Sequence, residues 1–331
     1  MGERRPRSDR GIELDPLGHP QLPAEIVAPG DRAHVDREAT ADGPIVIAVA
    51  ADAGEVDSSV LAWADVVLVA HGVAPGAVTL PDPSEAAREL ATRIDEHPVA
   101  ALSLAWLLRV EAYEKVARGL LMESATYSML LAGEEFGRWR RERPLRPLPE
   151  SSAPRVRLSR DEDVLRVTLA NPARRNAMDA RMRDELAEAL ELARHDADVR
   201  VVIDAEGPTF GSGGDLDEFG TTPDLARAHL TRTVASVGRR IADLGERVEV
   251  RVHGSCFGAG IEVPAFAHRV VARPGSTFVL PEISMGLIPG AGGTTSIPRR
   301  IGRHRTAWWA LSGRPLDADT ALAWGLVDAI E

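Results

Sequence analysis

From residue 164 onward the chain repeats one pattern, and that repetition limits the fold more than any other feature of the sequence. VLRVTLA at 164–170 alternates apolar and polar residues in the manner of a half-buried strand. DARMRDELAEALELARHD follows, with Asp179 as an N-cap and Met182, Leu186, Ala189 and Ala193 on one helical face. VRVVIDA at 199–205 is a second strand, a helical stretch occupies the region near 223–244, and VEVRVHG at 248–254 is a third strand. Strands alternating with helices predict an α/β arrangement in which helices flank a sheet.

Two loops punctuate the repeats: GPTFGSGGDLDEF after VVIDA, and HGSCFGAGIEVP after VEVRV. Each lies between a strand end and a helix start, where backbone N–H groups lack an intrahelical acceptor, and small residues let a ligand approach that backbone closely. On glycine content alone the loops read as tight turns. They also suit amides converging on one oxyanion. A phosphate cradle is a further reading, but neither loop has the Lys-Ser/Thr ending of a P-loop.

Behind the second loop the chain is apolar except for Glu262, and an ionised acid in such surroundings is costly unless paired or hydrogen-bonded. FVLPEISMGLIPGAGGT at 278–294 brings a second acid, Glu282, followed by another small-residue loop. Taken singly, Glu262 reads as a helix-start carboxylate and Glu282 as a salt-bridged loop acid. Side by side with glycine loops they predict acid–base chemistry next to an oxyanion hole, the two acids dividing the roles as their environments separate their pKa values. No substrate follows from these residues alone. Cys256 reads as a small buried filler, since no base partners it, and His253 as a strand-end packing residue.

Composition matters for what it excludes. A net charge of -11 over 331 residues argues against nucleic acid or an anionic membrane as a partner held by charge. No uninterrupted apolar run is long enough to cross a bilayer, and MGERRPRSDRGIELDPLGHP lacks the apolar centre of a signal peptide. The single cysteine excludes an intrachain disulfide and fits a reducing compartment, so the cytoplasm is the expected address.

Ahead of the repeats, residues 1–43 are rich in Arg, Asp, Pro and Gly without periodicity and read as a flexible tail. PIVIAVA at 44–50 and WADVVLVA at 63–70 read as strands. From Ser84 the spacing becomes helical, and VARGLLMESATYSMLLAGEEFGRWRRERP carries its basic residues at the C-terminal end, as a helix dipole prefers. LRPLPESSAPR at 145–155 marks a boundary. The expected parts are a tail at 1–43, an N-terminal segment at 44–149, a linker at 150–155 and a core at 156–331.

LANPARRNAMD, FGSGGDLDEF, HGSCFGAGIE, LPEISMGLIPGAGGT and SGRPLDADTALAWGLVDAI, in that order and spacing, resemble the motifs of the crotonase family, also called the enoyl-CoA hydratase/isomerase family. The resemblance implies an α/β spiral core of ββα repeats acting on an acyl-CoA thioester. The thioester itself acidifies the α-carbon, so no cofactor or metal is implied. It further implies that the backbone N–H groups of Gly214 and Ala259 hold the thioester oxygen. Glu262 and Glu282 manage a water and a proton, and the backbone of Gly290 helps place that water. Arg174, Arg175, Ala177, Ser212, Asp215 and Leu216 fall where the family binds CoA.

Possession of both acids favours hydration. Isomerisation, thioester hydrolysis and C–C cleavage stay open on the same scaffold, as does a non-catalytic partner subunit. A homo-oligomer, trimer or hexamer, is implied as well. Family members continue beyond the last motif into helices that close the acyl site, and residues 81–149 resemble that piece. A helical cap placed N-terminal to the core is therefore expected, packing on its own or a neighbouring subunit, with Trp139, Arg140, Arg141 and Arg143 near the CoA phosphates.

Overall fold

Valine- and isoleucine-rich runs form a four-stranded sheet in the computed structural model, which describes residues 11–31, 41–145 and 152–331. The expected tail and linker therefore lie partly outside the described residues. The chain divides into two units, Met1–Glu111 with Ile301–Ser312, and Ala112–Arg300 with Gly313–Glu331.

In the first unit, strands β1 (Ala24–Val27), β2 (Ile45–Asp52), β3 (Val66–His71) and β4 (Val78–Thr79) lie in that order and are all parallel. β2 and β3 are buried along most of their length, as parallel strands covered on both faces must be. Helix α1 (Ser58–Trp63) connects them and adds Val60 and Trp63 to the core. Helix α2 (Pro83–Glu96) and the helix Arg303–Ser312 pack on this sheet, and α3 (Pro98–Arg109) packs on those two helices. A buried bidentate pair ties α3 to the sheet: Arg109 donates to both oxygens of Asp65 at 2.9 and 2.6 Å, while Asp65 also accepts the Val46 amide at 2.8 Å.

Two expectations change here. Ala24–Val27 falls in the stretch read as a tail, yet it forms an edge strand in register with Ile45–Ala48. Four residues are too few to show a periodicity, and backbone pairing with β2 supplies what the side chains do not. The helices α2 and α3, grouped by sequence with the cap, belong to this unit because the apolar face of Ala87, Leu90 and Ile94 is buried here.

The second unit holds the repeats. Strands β5 (Val156–Asp161), β6 (Val164–Leu169), β7 (Arg200–Ala205), β8 (Val248–Val252), β10 (Arg269–Ala272) and β13 (Ala329–Ile330) form one sheet in the order β13-β10-β8-β7-β6-β5, antiparallel only between β5 and β6. A smaller sheet joins β9 (Ser255–Phe257), β11 (Thr277–Val279) and β12 (Leu316–Asp317). Asp179 caps α6 (Ala180–His195) by accepting the Met182 amide at 2.7 Å. The helical stretch near 223–244 is two helices, α7 (Leu225–Val234) and α8 (Val237–Leu244). Ser236 separates them: its backbone is extended and its hydroxyl accepts the Arg239 amide at 3.1 Å, which starts a new helix.

The cap helices precede this core in sequence and pack on it. Helix α4 (Val116–Leu131) lies against α7, and α5 (Glu134–Glu142) against the turn at Glu282–Met285. Leu120, Tyr127 and Leu130 are buried on α4, each worth about 1.5–3 kcal/mol. The approach is close enough to demand glycine: a Cβ at Gly290 would lie 2.2 Å from the Tyr127 ring. Among the described residues no helix is long and apolar enough to cross a membrane.

Candidate active site

The two glycine loops run side by side. Gly211 bridges Cys256, the Phe257 amide donates to the Gly211 carbonyl at 2.9 Å, and Gly211 meets Gly260 so closely that a Cβ at Gly260 would lie 2.3 Å from the Gly211 carbonyl oxygen. On its far side the first loop is pinned by Met178, which donates to the Gly213 carbonyl at 2.8 Å and accepts the Asp215 amide at 3.1 Å. Gly214 and Ala259 therefore sit on adjacent strips of backbone and line the same cleft, which encloses about 1280 Å³ including its open mouth. Among the described residues, neither of their amides donates to a protein acceptor. Amides without a protein acceptor, on residues that line a cleft, are open to a ligand.

Glu262 ends a single helical turn, α9 (Ala259–Glu262), and Pro264 then opens a separate 3-10 turn at its first position. The proline costs no hydrogen bond there and leaves the acid undisturbed. One Glu262 oxygen accepts the amides of Ala291 and Gly293 at 2.7 and 2.9 Å, and its main-chain carbonyl accepts the Ser296 hydroxyl at 2.7 Å. Glu282 opens a 3-10 turn after Pro281, and its Oε2 is buried without a hydrogen-bond partner. Both carboxylates converge over Gly258. A Cβ at that glycine would lie 2.4 Å from Glu282 Oε1 and 3.6 Å from Glu262 Oε1, and its φ of +46° already disfavours any side chain.

A third acid joins them from the cap. Glu123 on α4 accepts the Gly292 amide at 2.7 Å with one oxygen, and the Thr294 amide and hydroxyl at 2.9 and 2.7 Å with the other. Four consecutive amides, Ala291 to Thr294, are thus shared alternately between Glu262 and Glu123 at the start of helix α10 (Gly293–Ile301). These are the orphan donors of a helix N-terminus, and the dipole there favours negative charge.

Burial nevertheless dominates. It pushes Glu262 up to about 7 against the pull of its two amides. It pushes Glu123 up to about 8, with the charge of Glu262 adding to the effect. Glu282, which burial and the charge of Glu262 both oppose ionising, rises well above the usual carboxylate range. The Tyr127 phenol is raised by the same causes, burial first and then the charge of Glu282.

Residues 159–331 match the family model described as enoyl-CoA hydratase/isomerase. The chain belongs to this family. Over 174 residues it is 36% identical to the 2,3-dehydroadipyl-CoA hydratase of Escherichia coli, covering 52% of this chain and 68% of that one. It is 34% identical over 173 residues to the 1,2-epoxyphenylacetyl-CoA isomerase of the same organism, covering 50% and 66%. A solved enoyl-CoA hydratase from Thermoplasma volcanium superposes with a TM-score of 0.51 at 31% identity, over 54% of this chain and 72% of the other.

In this family member Gly214, Ala259, Glu262, Glu282, Gly290 and Asp215 all line the cleft. Arg174, Arg175, Ala177, Ser212 and Leu216 are not among the residues that line it. The Arg174 guanidinium is engaged by Asp215 at 2.9 Å and Asp217 at 2.8 Å, so its charge is balanced by the protein. Arg175 is exposed, its carbonyl accepting the Ser212 amide at 3.0 Å. Ala177 is buried. The Leu216 carbonyl accepts Arg140 at 3.0 Å, and Arg143 stacks over Trp139 at 5.6 Å. His253 packs edge-on against Phe210 and meets the Gly207 carbonyl at 2.9 Å. Cys256 is buried and its thiol pKa is raised by that burial, which leaves it inert.

Glu123 and Tyr127 were missed by the sequence reading. The signal existed in GLLMESATYSMLL, where one acid is the only charged residue of the stretch, as Glu262 is in its own segment.

Proposed function

We propose that the protein adds water across the α,β double bond of an acyl-CoA thioester, and catalyses the reverse. The observation that carries this reading is the pair of buried acids with opposite environments, meeting over Gly258 beside two unengaged amides. Glu262 has amide donors that favour its carboxylate, which suits a base. Glu282 has an unpartnered buried oxygen, which suits a neutral acid. With the thioester carbonyl between Gly214 N–H and Ala259 N–H, electron density withdrawn from the β-carbon collects on that oxygen. Glu262 takes a proton from water as its oxygen bonds to the β-carbon, and Glu282 delivers a proton to the α-carbon. Proton exchange between the acids and solvent resets the site.

The relatives named as hydratases support this choice, and the relative named as an isomerase supports proton relocation on the same scaffold as the second reading. Following loss of the conjugated thioester absorbance tests it. Glu262→Gln and Glu282→Gln should each lower kcat on the order of 10²-fold or more. An unchanged rate in either variant would contradict the assignment. Solvent deuterium entering the α-carbon with no net hydration would instead favour isomerisation.

A further inference from the structure

Two guanidinium groups line the cleft, and they differ in one respect. Arg183 is neutralised by Asp184 at 2.7 Å. Arg232 on α7 has no carboxylate partner among the described residues. Its Nε donates to the Ser124 hydroxyl at 3.2 Å, its Nη2 to the Ser124 carbonyl at 3.4 Å and to the Ser128 hydroxyl, and its guanidinium lies 5.1 Å from the centre of the Tyr127 ring. Every one of these partners is neutral. They orient the fork and solvate it, but leave its charge standing in a half-buried position, where an uncompensated ion is costly. Nη1 has no protein acceptor among the described residues, so one edge of the fork is available to a ligand.

The position is informative. The Tyr127 ring packs against Gly290, next to the amides that hold Glu262, and Arg232 lies over that same ring. Leu225, Ala228 and Val237 supply apolar lining of the same cleft. A cation with no carboxylate ion-pair partner among the described residues thus lines the same cleft as the acids.

We infer that the cleft takes acyl-CoA thioesters whose acyl chain ends in a carboxylate, bound by Arg232. This rests on the acyl-CoA reading above and gives it a substrate class. Bidentate pairing with a carboxylate is what the guanidinium fork is shaped for.

The test compares two enoyl-CoA esters of equal chain length, one ending in a carboxylate and one in a methyl group, on the wild-type protein and on Arg232→Met and Arg232→Lys. The wild type should favour the carboxylated ester. Arg232→Met should lower the ratio of the two kcat/KM values about ten- to hundredfold, the worth of a charged hydrogen bond, and Arg232→Lys should restore part of it. An equal loss on both esters in Arg232→Met would make Arg232 a joint between α7 and α4 and overturn the inference. So would a wild-type preference for the methyl end.

Titration of CoA alone separates the two sources of anion: a matching fall in CoA affinity in Arg232→Met would mean that a CoA phosphate is bound there instead. If neither ester is hydrated, calorimetry with the corresponding saturated thioesters decides the matter independently. A preference for the carboxylated one that Arg232→Met removes upholds the inference while hydration fails, and no preference overturns it.

Discussion

Replacing Glu123 with glutamine keeps the shape of the side chain but sets an NH2 group against a backbone N–H, either of Gly292 or of Thr294. The loop must shift to relieve that clash of donors, and the alternate amides that hold Glu262 move with it. We expect kcat to fall on the order of 10²-fold with KM little changed, as a small misplacement of a reacting group does, and steady-state kinetics checks it. Ionisation also sets the pH profile. Glu262 must lose its proton near 7, and Glu282 must keep one to higher pH. The rate against pH should therefore be bell-shaped with an acid limb near 7. That Glu262 and Glu282 share one cleft was legible in the sequence because each stands alone beside a glycine loop. Glu123 was not, since its partners are about 170 positions away.

At the scale of elements, the glycine-rich turn before α10 is where cap and core meet. Gly290→Ala would drive a methyl group into Tyr127, so α4 cannot dock without strain, and stability should fall by about 1–3 kcal/mol, the range for overpacking. Urea unfolding measures it. Gly293→Ala is different, because its Cβ would lie 2.6 Å from Glu262 Cγ. There activity should drop further than stability does. The repeats were readable because strand and helix periods alternate cleanly from β6 to β8. The break between α7 and α8 was not, because a serine inside a helical pattern is a cap only when the backbone turns around it. The strand Ala24–Val27 owes its form to its neighbour, and its own side chains carry little signal.

At the scale of the whole molecule, the proposed active site draws on both halves of the chain: the cap supplies Glu123 and Tyr127, and the core supplies two loops and two acids. A resemblance of motifs pointed to that rearranged order, while helical periodicity alone could not assign α2 and α3 to one unit and α4 and α5 to the other. Burying three carboxyl groups has a consequence for stability. Their folded pKa values lie above the unfolded ones, so the folded state holds more protons between about pH 4.5 and 8. Stability should be fullest at the acid end of that window and decline as pH rises through 7 and 8. Thermal melts from pH 5.5 to 9 should show a falling Tm, less steep in Glu123→Gln. The central claim is that this assembly polarises a thioester through the amides of Gly214 and Ala259. Vibrational difference spectroscopy of a bound, unreactive acyl-CoA reads that directly. A carbonyl stretch displaced to lower frequency on binding is the expected result, and a stretch unmoved from its value in water would contradict the account.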